Sequence, residues 1–189
     1  MLKITLWDDP ILKKIAEPVP DSAFGLKLEL FGRDMIETME ANNGIGLAAP
    51  QVGISERIFV MSFPDHTDLD PIIVVNPRIR YLGSALYEQE GCLSLPGLYE
   101  QVARSSEITM EYQDPLTGRW KADLESLTPS EATLKNWDAR VAAHELDHLD
   151  GWMFFDRMSR QMRKALLQRW EKTKHPRLSK TSRPLVLPL

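Results

Sequence analysis

Apolar residues along the 189-residue chain recur in two rhythms, one helical and one alternating. Between residues 22 and 42, Leu26, Leu28, Leu30, Met35, Ile36 and Met39 fall at helix-like spacing, and the run stops at Asn42-Asn43-Gly44. This predicts one amphipathic helix. Met162, Ala165, Leu166 and Trp170 repeat the rhythm over 159–172 and predict another. Three short runs rich in β-branched or aromatic residues, 57–63, 72–76 and 108–112, are bounded by Pro, Gly, Asp or Asn and predict strands of an antiparallel sheet. Asp114-Pro115-Leu116-Thr117-Gly118 is a turn sequence that joins the last of these to a partner strand over 119–124. Between that hairpin and the last helix lies 138–150, a segment that can be helical. From residue 172 onward the pattern lapses into a stretch carrying five Lys/Arg and three Pro, which predicts an extended arm. The expectation is one domain over 1–171 and a basic tail over 172–189.

Composition narrows the function classes. With 43% hydrophobic and 26% charged residues, the chain has the profile of a globular protein able to bury one sizeable core. Its 23 Lys+Arg against 27 Asp+Glu leave a formal net charge of -4, so neither a general grip on DNA nor attraction to an anionic membrane is indicated. No stretch is long and apolar enough to span a bilayer. A single cysteine, Cys92, excludes an internal disulfide and fits a reducing compartment. The first ten residues carry no apolar targeting run, so the expected location is cytoplasmic.

Three short segments carry candidate chemistry. His144-Glu145-Leu146-Asp147-His148 matches H-E-x-x-H. On a helix its two imidazoles lie one turn apart, about 40° around the axis, and can reach one ion. Glu145 then stands beside the ion as a carboxylate able to move a proton. The alternative is a surface helix with two solvated histidines. A catalytic ion calls for a third protein ligand. Cys92, in Glu90-Gly91-Cys92-Leu93-Ser94, is either that ligand or a small buried hydrophobe. Cys/His/His suits zinc or ferrous iron alike. The third segment, Gly44-Ile45-Gly46-Leu47-Ala48-Ala49-Pro50-Gln51, is rich in small residues that admit close approach, but it lacks the Lys-Ser/Thr pair of a phosphate loop. Its Gln51 amide either donates to a developing oxyanion or satisfies nearby backbone.

Taken in order, the three segments resemble the signatures of the peptide deformylase family: G-Φ-G-Φ-A-A-x-Q over 44–51, E-G-C-Φ-S over 90–94 and H-E-x-x-H over 144–148, with Φ apolar. The resemblance implies an α+β fold, with a mostly antiparallel sheet packed around a central H-E-x-x-H helix and a further helix toward each end. It implies a hydrolase that removes the formyl group from formyl-methionine at the start of new polypeptides and releases formate. The metal ligands would be Cys92, His144 and His148, with Glu145 as general acid/base for attack by metal-bound water. Gln51 and the Leu93 backbone N–H would hold the oxyanion, and Ile45 and Gly46 would contact the substrate peptide. One divalent ion is expected, Fe2+ in vivo, with Zn2+ or Ni2+ in isolated protein. The basic tail is either a solvated, mobile terminus or, since family members act on nascent chains, the site of a transient ribosome contact.

Some features depart from the family pattern or add to it. Ala143 stands where Gln is common, and 125–137 is longer than usual. Arg140 lies one turn before His144, and its direction relative to the pocket stays open. Glu90 and Arg104 are expected to pair and steady the Cys92 segment. An H-E-x-x-H peptidase is the rival reading, but its third ligand would come from downstream, where Asp150, Asp156 and His175 are wrongly spaced. A catalytically idle binding module is the rival from another class, and intact Gln51, Cys92 and Glu145 argue against it.

Overall fold

The computed structural model describes residues 1–122 and 133–172. Helix α1 spans Leu26–Ala41, α2 spans Asn136–Leu149 and α3 spans Arg160–Lys172. The strands are β1 (Gly46–Ala48), β2 (Ile58–Met61), β3 (Ile72–Cys92), β4 (Leu95–Gln113), β5 (Trp120–Ala122) and β6 (Leu134–Lys135). They form one antiparallel sheet in the order β1-β2-β3-β4-β5, with β6 also on β4. The expected α+β class, with an antiparallel sheet and a helix toward each end, is what the structure has.

The sheet is covered on both faces, and β2 shows how. Phe59 and Met61 join a cluster with Ala139 and Ala142 of α2, while Ile58 and Val60 join Leu28, Met35 and Met39 of α1. Side chains alternate across a strand, so a continuous apolar run fits a strand buried on both sides. Gly32 lets α1 settle on β3, because a Cβ there would run into the Ile73 side chain. A third cluster joins Cys92 and Leu95 at the β3–β4 turn to Leu12, Phe154, Phe155, Leu166 and Trp170.

Several expectations need correction. Leu26 and Leu30 are exposed, at 65% and 52%, so α1 buries a narrower stripe than its apolar positions suggested. In α3, Leu166 and Trp170 are buried while Met162 and Ala165 face outward. The strand expected at 72–76 continues to Cys92, and that expected at 108–112 begins at Leu95. The outer reach of β3 carries exposed residues on both faces, leaving no alternation to read, whereas the facing stretch of β4 buries Val102 and Arg104. Strand β1, a Gly-containing edge, and β6, only two residues, were not foreseen. The hairpin over 114–118 forms as expected, with Glu111, Tyr112 and Gln113 paired to Ala122, Lys121 and Trp120. The expected tail beyond residue 172 and most of the longer 125–137 stretch lie outside the described residues.

Candidate active site

Helix α2 is buried along nearly its whole length, from Asp138 to Leu149. His144 and His148 are 9% and 0% exposed, which removes the reading of a solvated surface pair. Their rings lie edge to face with centroids 5.0 Å apart. Cys92 ends β3 at a tight turn into β4, where the register shifts between Glu90 and Cys92. Such irregularities re-aim side chains, and here the Cys92 Sγ lies 3.3 Å from His148 Nε2. Cys92, His144 and His148 offer ligand atoms that all lie within 4.8 Å of one another, the one such group of three or more among the described residues.

The geometry fits a metal ion. Tetrahedral coordination by one sulfur and two nitrogens at ordinary bond lengths separates the donors by roughly 3.3–3.6 Å, the spacing seen for Cys92 and His148. The His144 Nδ1 lies 2.9 Å from Glu90 Oε2. That contact holds the imidazole with its other nitrogen available, the usual outer-shell arrangement of a ligating histidine. His148 Nδ1 is buried with no partner among the described residues.

Around these groups runs a buried ionic network. Glu90 accepts from Arg104 Nε and NH2 at 2.9 Å each, from Arg140 NH1 at 2.5 Å, and contacts His144. The expected Glu90 and Arg104 ion pair is therefore formed, and it is bidentate. Arg104 NH1 reaches Asp147 Oδ2 at 2.5 Å and the Ala143 carbonyl at 3.3 Å. Asp147 in turn accepts from Arg157 at 2.5 and 3.1 Å. Burial alone would raise the Glu90 pKa, yet the charge and hydrogen bonds of Arg104, with those of His144, hold it well below the usual carboxylate range. Burial opposes charge on both imidazoles. For His144, contacts with Cys92 and Glu90 outweigh it and raise the pKa well above 6.5, whereas His148, beside that charge, is pushed well below.

Glu145 is 3% exposed, and its Oε2 has no partner among the described residues. Burial raises its pKa to about 7, against the charges of His144 and Arg104. Gly46 packs so close that a Cβ there would run into the Glu145 carboxylate. Gln51 is oriented by the Ala48 N–H, which donates to its Oε1 at 2.8 Å. Its amide nitrogen thereby faces Cys92 Sγ at 3.3 Å and Ser94 Oγ at 3.2 Å. Both alternatives for Gln51 thus have a physical basis: it satisfies the Ala48 backbone and points a donor into the site.

Gln51, Glu90, Cys92, His144 and Glu145 border one cleft, whose empty space is about 430 Å3 with its open mouth included. Ile45, Gly46 and Leu93 also line it, as do Trp137, Arg140 and Val141 of α2. The open question of Arg140 resolves inward. Its side chain is 4% exposed, it lines the cleft, and it bonds to Glu90. Asp147, Arg157 and Ser94 were not singled out from the sequence. For Asp147 a signal existed, because an acid within a helix buried on all sides requires a partner. The downstream acids considered for a peptidase are engaged elsewhere, Asp150 with Arg57 at 2.8 Å and Asp156 with Arg163 at 2.6 Å.

A thiol from a hairpin tip and two imidazoles from an H-E-x-x-H helix, with a carboxylate one residue along, define a metal-dependent hydrolase. Comparison with known proteins narrows the class. The family model for polypeptide deformylase matches residues 1–164. A peptide deformylase from Thermus thermophilus is 40% identical over 178 residues, covering 87% of this chain and 86% of its own. One from Acidobacterium capsulatum is 40% identical over 172 residues, covering 89% and 93%. A crystal structure of peptide deformylase from Thermus thermophilus superposes with a TM-score of 0.77 at 38% identity, over 93% of this chain and all of the other. The chain belongs to the polypeptide deformylase family, and it is an enzyme of that family.

Proposed function

We propose that the chain removes the formyl group from the N-formyl-methionyl end of newly made polypeptides, releasing formate and a free amine. The observation that carries this reading is the convergence of Cys92, His144 and His148 on one another, beside a cleft lined by Cys92, His144, Glu145 and Gln51. The donor set suits one divalent ion, ferrous iron in the cell, with zinc or nickel as substitutes in isolated protein. Held by these three residues, the ion would polarise the formyl carbonyl and acidify a coordinated water.

The chain's own groups do the rest. Glu145, with a pKa near 7, is suited to take a proton during attack and return it to the leaving amine. The Gln51 amide and the Leu93 backbone N–H face the charge that develops on the formyl oxygen. For Gln51 this exchanges a weak N–H···S contact with Cys92 for a charge-assisted bond. Strand β1 is terminal in the sheet order, so Ile45 and Gly46 offer an edge on which the substrate backbone can add as a further strand. The methionine side chain would then occupy the cleft.

Anaerobically purified, metal-loaded protein should release formate from a short formyl-Met peptide, and Glu145→Gln should lose about 10²–10⁴ of that activity. The unformylated peptide should stay intact. No formate from fully loaded wild type, or cleavage of the unformylated control, overturns the proposal. Cytoplasmic location and brief ribosome contact through the basic residues beyond 172 belong to the same reading. Unchanged ribosome co-sedimentation after their deletion removes the contact.

A further inference from the structure

The cleft wall contributed by α2 contains a cation. Trp137, Arg140, Val141 and His144 stand at positions i, i+3, i+4 and i+7 of α2, so one helix face supplies both pocket wall and a proposed metal ligand. Arg140 is pinned from three directions. Its NH1 donates to Glu90 Oε1 at 2.5 Å and to the Val102 carbonyl at 3.0 Å, and its NH2 donates to the Leu86 carbonyl at 2.7 Å. The guanidinium also lies 5.7 Å from the Trp137 ring centroid. Arg104 already neutralises Glu90 through two bonds, so charge balance alone does not call for a second guanidinium there. What Arg140 adds is a connection. The oxygen it holds belongs to the carboxylate whose other oxygen lies 2.9 Å from His144 Nδ1.

We infer that Arg140 is a positioning residue through which the side chain seated in the cleft fixes the orientation of His144, so that the first substrate residue governs turnover as well as binding. The inference rests on the deformylation reading. A side chain too small for the cleft leaves the Trp137 and Arg140 wall without partner atoms, whereas one that fills it completes the packing. The fixed guanidinium then fixes Glu90, and Glu90 fixes the imidazole. Outer-shell partners of metal ligands commonly control activity or metal affinity by about 10–100-fold.

The test uses cobalt-loaded wild type and Arg140→Met, with two readouts. The first is the cobalt absorption spectrum on addition of a Met-initiated or an Ala-initiated unformylated tripeptide. The second is kcat on the corresponding formyl peptides. In wild type, the Met peptide alone should shift the bands, and kcat should favour Met by about tenfold or more. In Arg140→Met the spectral response should vanish although the peptide still binds, and the kcat preference should fall to within about twofold. A variant that responds as wild type in both readouts overturns the inference. Should Arg140→Met fail to fold or hold cobalt, Trp137→Leu decides, because it removes the wall under the guanidinium without touching Glu90. Loss of response supports the coupling and a retained response overturns it. Wild type that releases no formate from either peptide overturns the deformylation reading instead.

Discussion

The two ends of α2 are held by different means. At its start, Lys135 provides no side-chain cap, and the cap comes from a distant loop. Asp65 Oδ2 accepts from the Trp137 N–H at 2.8 Å and more loosely from the Asp138 N–H at 3.4 Å. Asp138 reciprocates, accepting the Asp65 N–H at 3.1 Å and meeting His66 Nδ1 at 2.6 Å. The His66 side chain is 55% exposed. In the second half, by contrast, Glu90, Arg104 and Asp147 have side chains no more than 4% exposed, and only Arg157 reaches solvent. At the first end water reaches His66, though Asp138 itself is buried; at the second it reaches none of Glu90, Arg104 and Asp147. The fold thus uses a cap, modest in energy, where the helix merely has to begin. It uses a closed network, with every charge matched, where two imidazoles have to keep their orientation.

That contrast sets the order of expected effects. Arg104→Met should be the most damaging, because it removes the guanidinium shared by two buried carboxylates and leaves Glu90 to Arg140 and Asp147 to Arg157 alone; a loss of about 3 kcal/mol in denaturant unfolding is expected. A loss of only a few tenths would place the network on a level with the exposed cap and break the comparison. Stripping the metal with a chelator comes next. An ion present at 100 times its Kd stabilises by about 2.7 kcal/mol, readable as a lower unfolding temperature that returns on adding metal back. Asp65→Ala should cost about 1 kcal/mol, the usual worth of a cap, and leave metal content unchanged. Metal loss in this variant would show that the two ends are not independent.

The smallest effect concerns pH. The hydrogen bond that Asp138 accepts from His66 raises the His66 pKa above 6.5, against the opposing effect of burial. The protonated form is favoured in the fold, so the contribution is complete below pH 6.5 and is lost as pH rises through the raised value. Burial raises Asp138 as well, outweighing the Asp65 and His66 bonds. With more than half of the imidazole exposed, the effect should be a few tenths of a kcal/mol. Unfolding midpoints of wild type and His66→Asn should converge as pH rises past neutrality, and curves parallel throughout would remove the histidine from the cap.

The sequence was legible where burial was periodic or chemistry was dense. Strand β2 and helices α1 and α3 could be placed from apolar spacing, and the three signature segments marked the residues that border the cleft. The outer reaches of β3 and β4 could not be read. Residues such as Tyr87 and Glu88 face solvent, and their pairing with Ala103 and Val102 rests on backbone hydrogen bonds to which side-chain type is indifferent. The cap was hidden for another reason. Asp65 and Asp138 are 73 residues apart, and nothing local to either announces the other. Arg140 lay between these cases: its helical face was readable, but its direction depended on Glu90, which only the folded hairpin brings near.

The placement of β5 and β6 bears on how such a chain can change length. Ala122, at the end of β5, lies opposite Glu111, and Leu134, at the start of β6, lies opposite Ile108. The chain therefore leaves β4 and returns to it within three residues of the same edge, just before α2 begins. Closing a segment whose ends are already neighbours costs free energy that grows only logarithmically, about 0.6 kcal/mol for each doubling of length. Between these two strands the polypeptide can be lengthened or shortened by whole insertions while the start of α2 keeps its place. That junction is a natural port for evolutionary variation, and for a grafted epitope or fluorescent label.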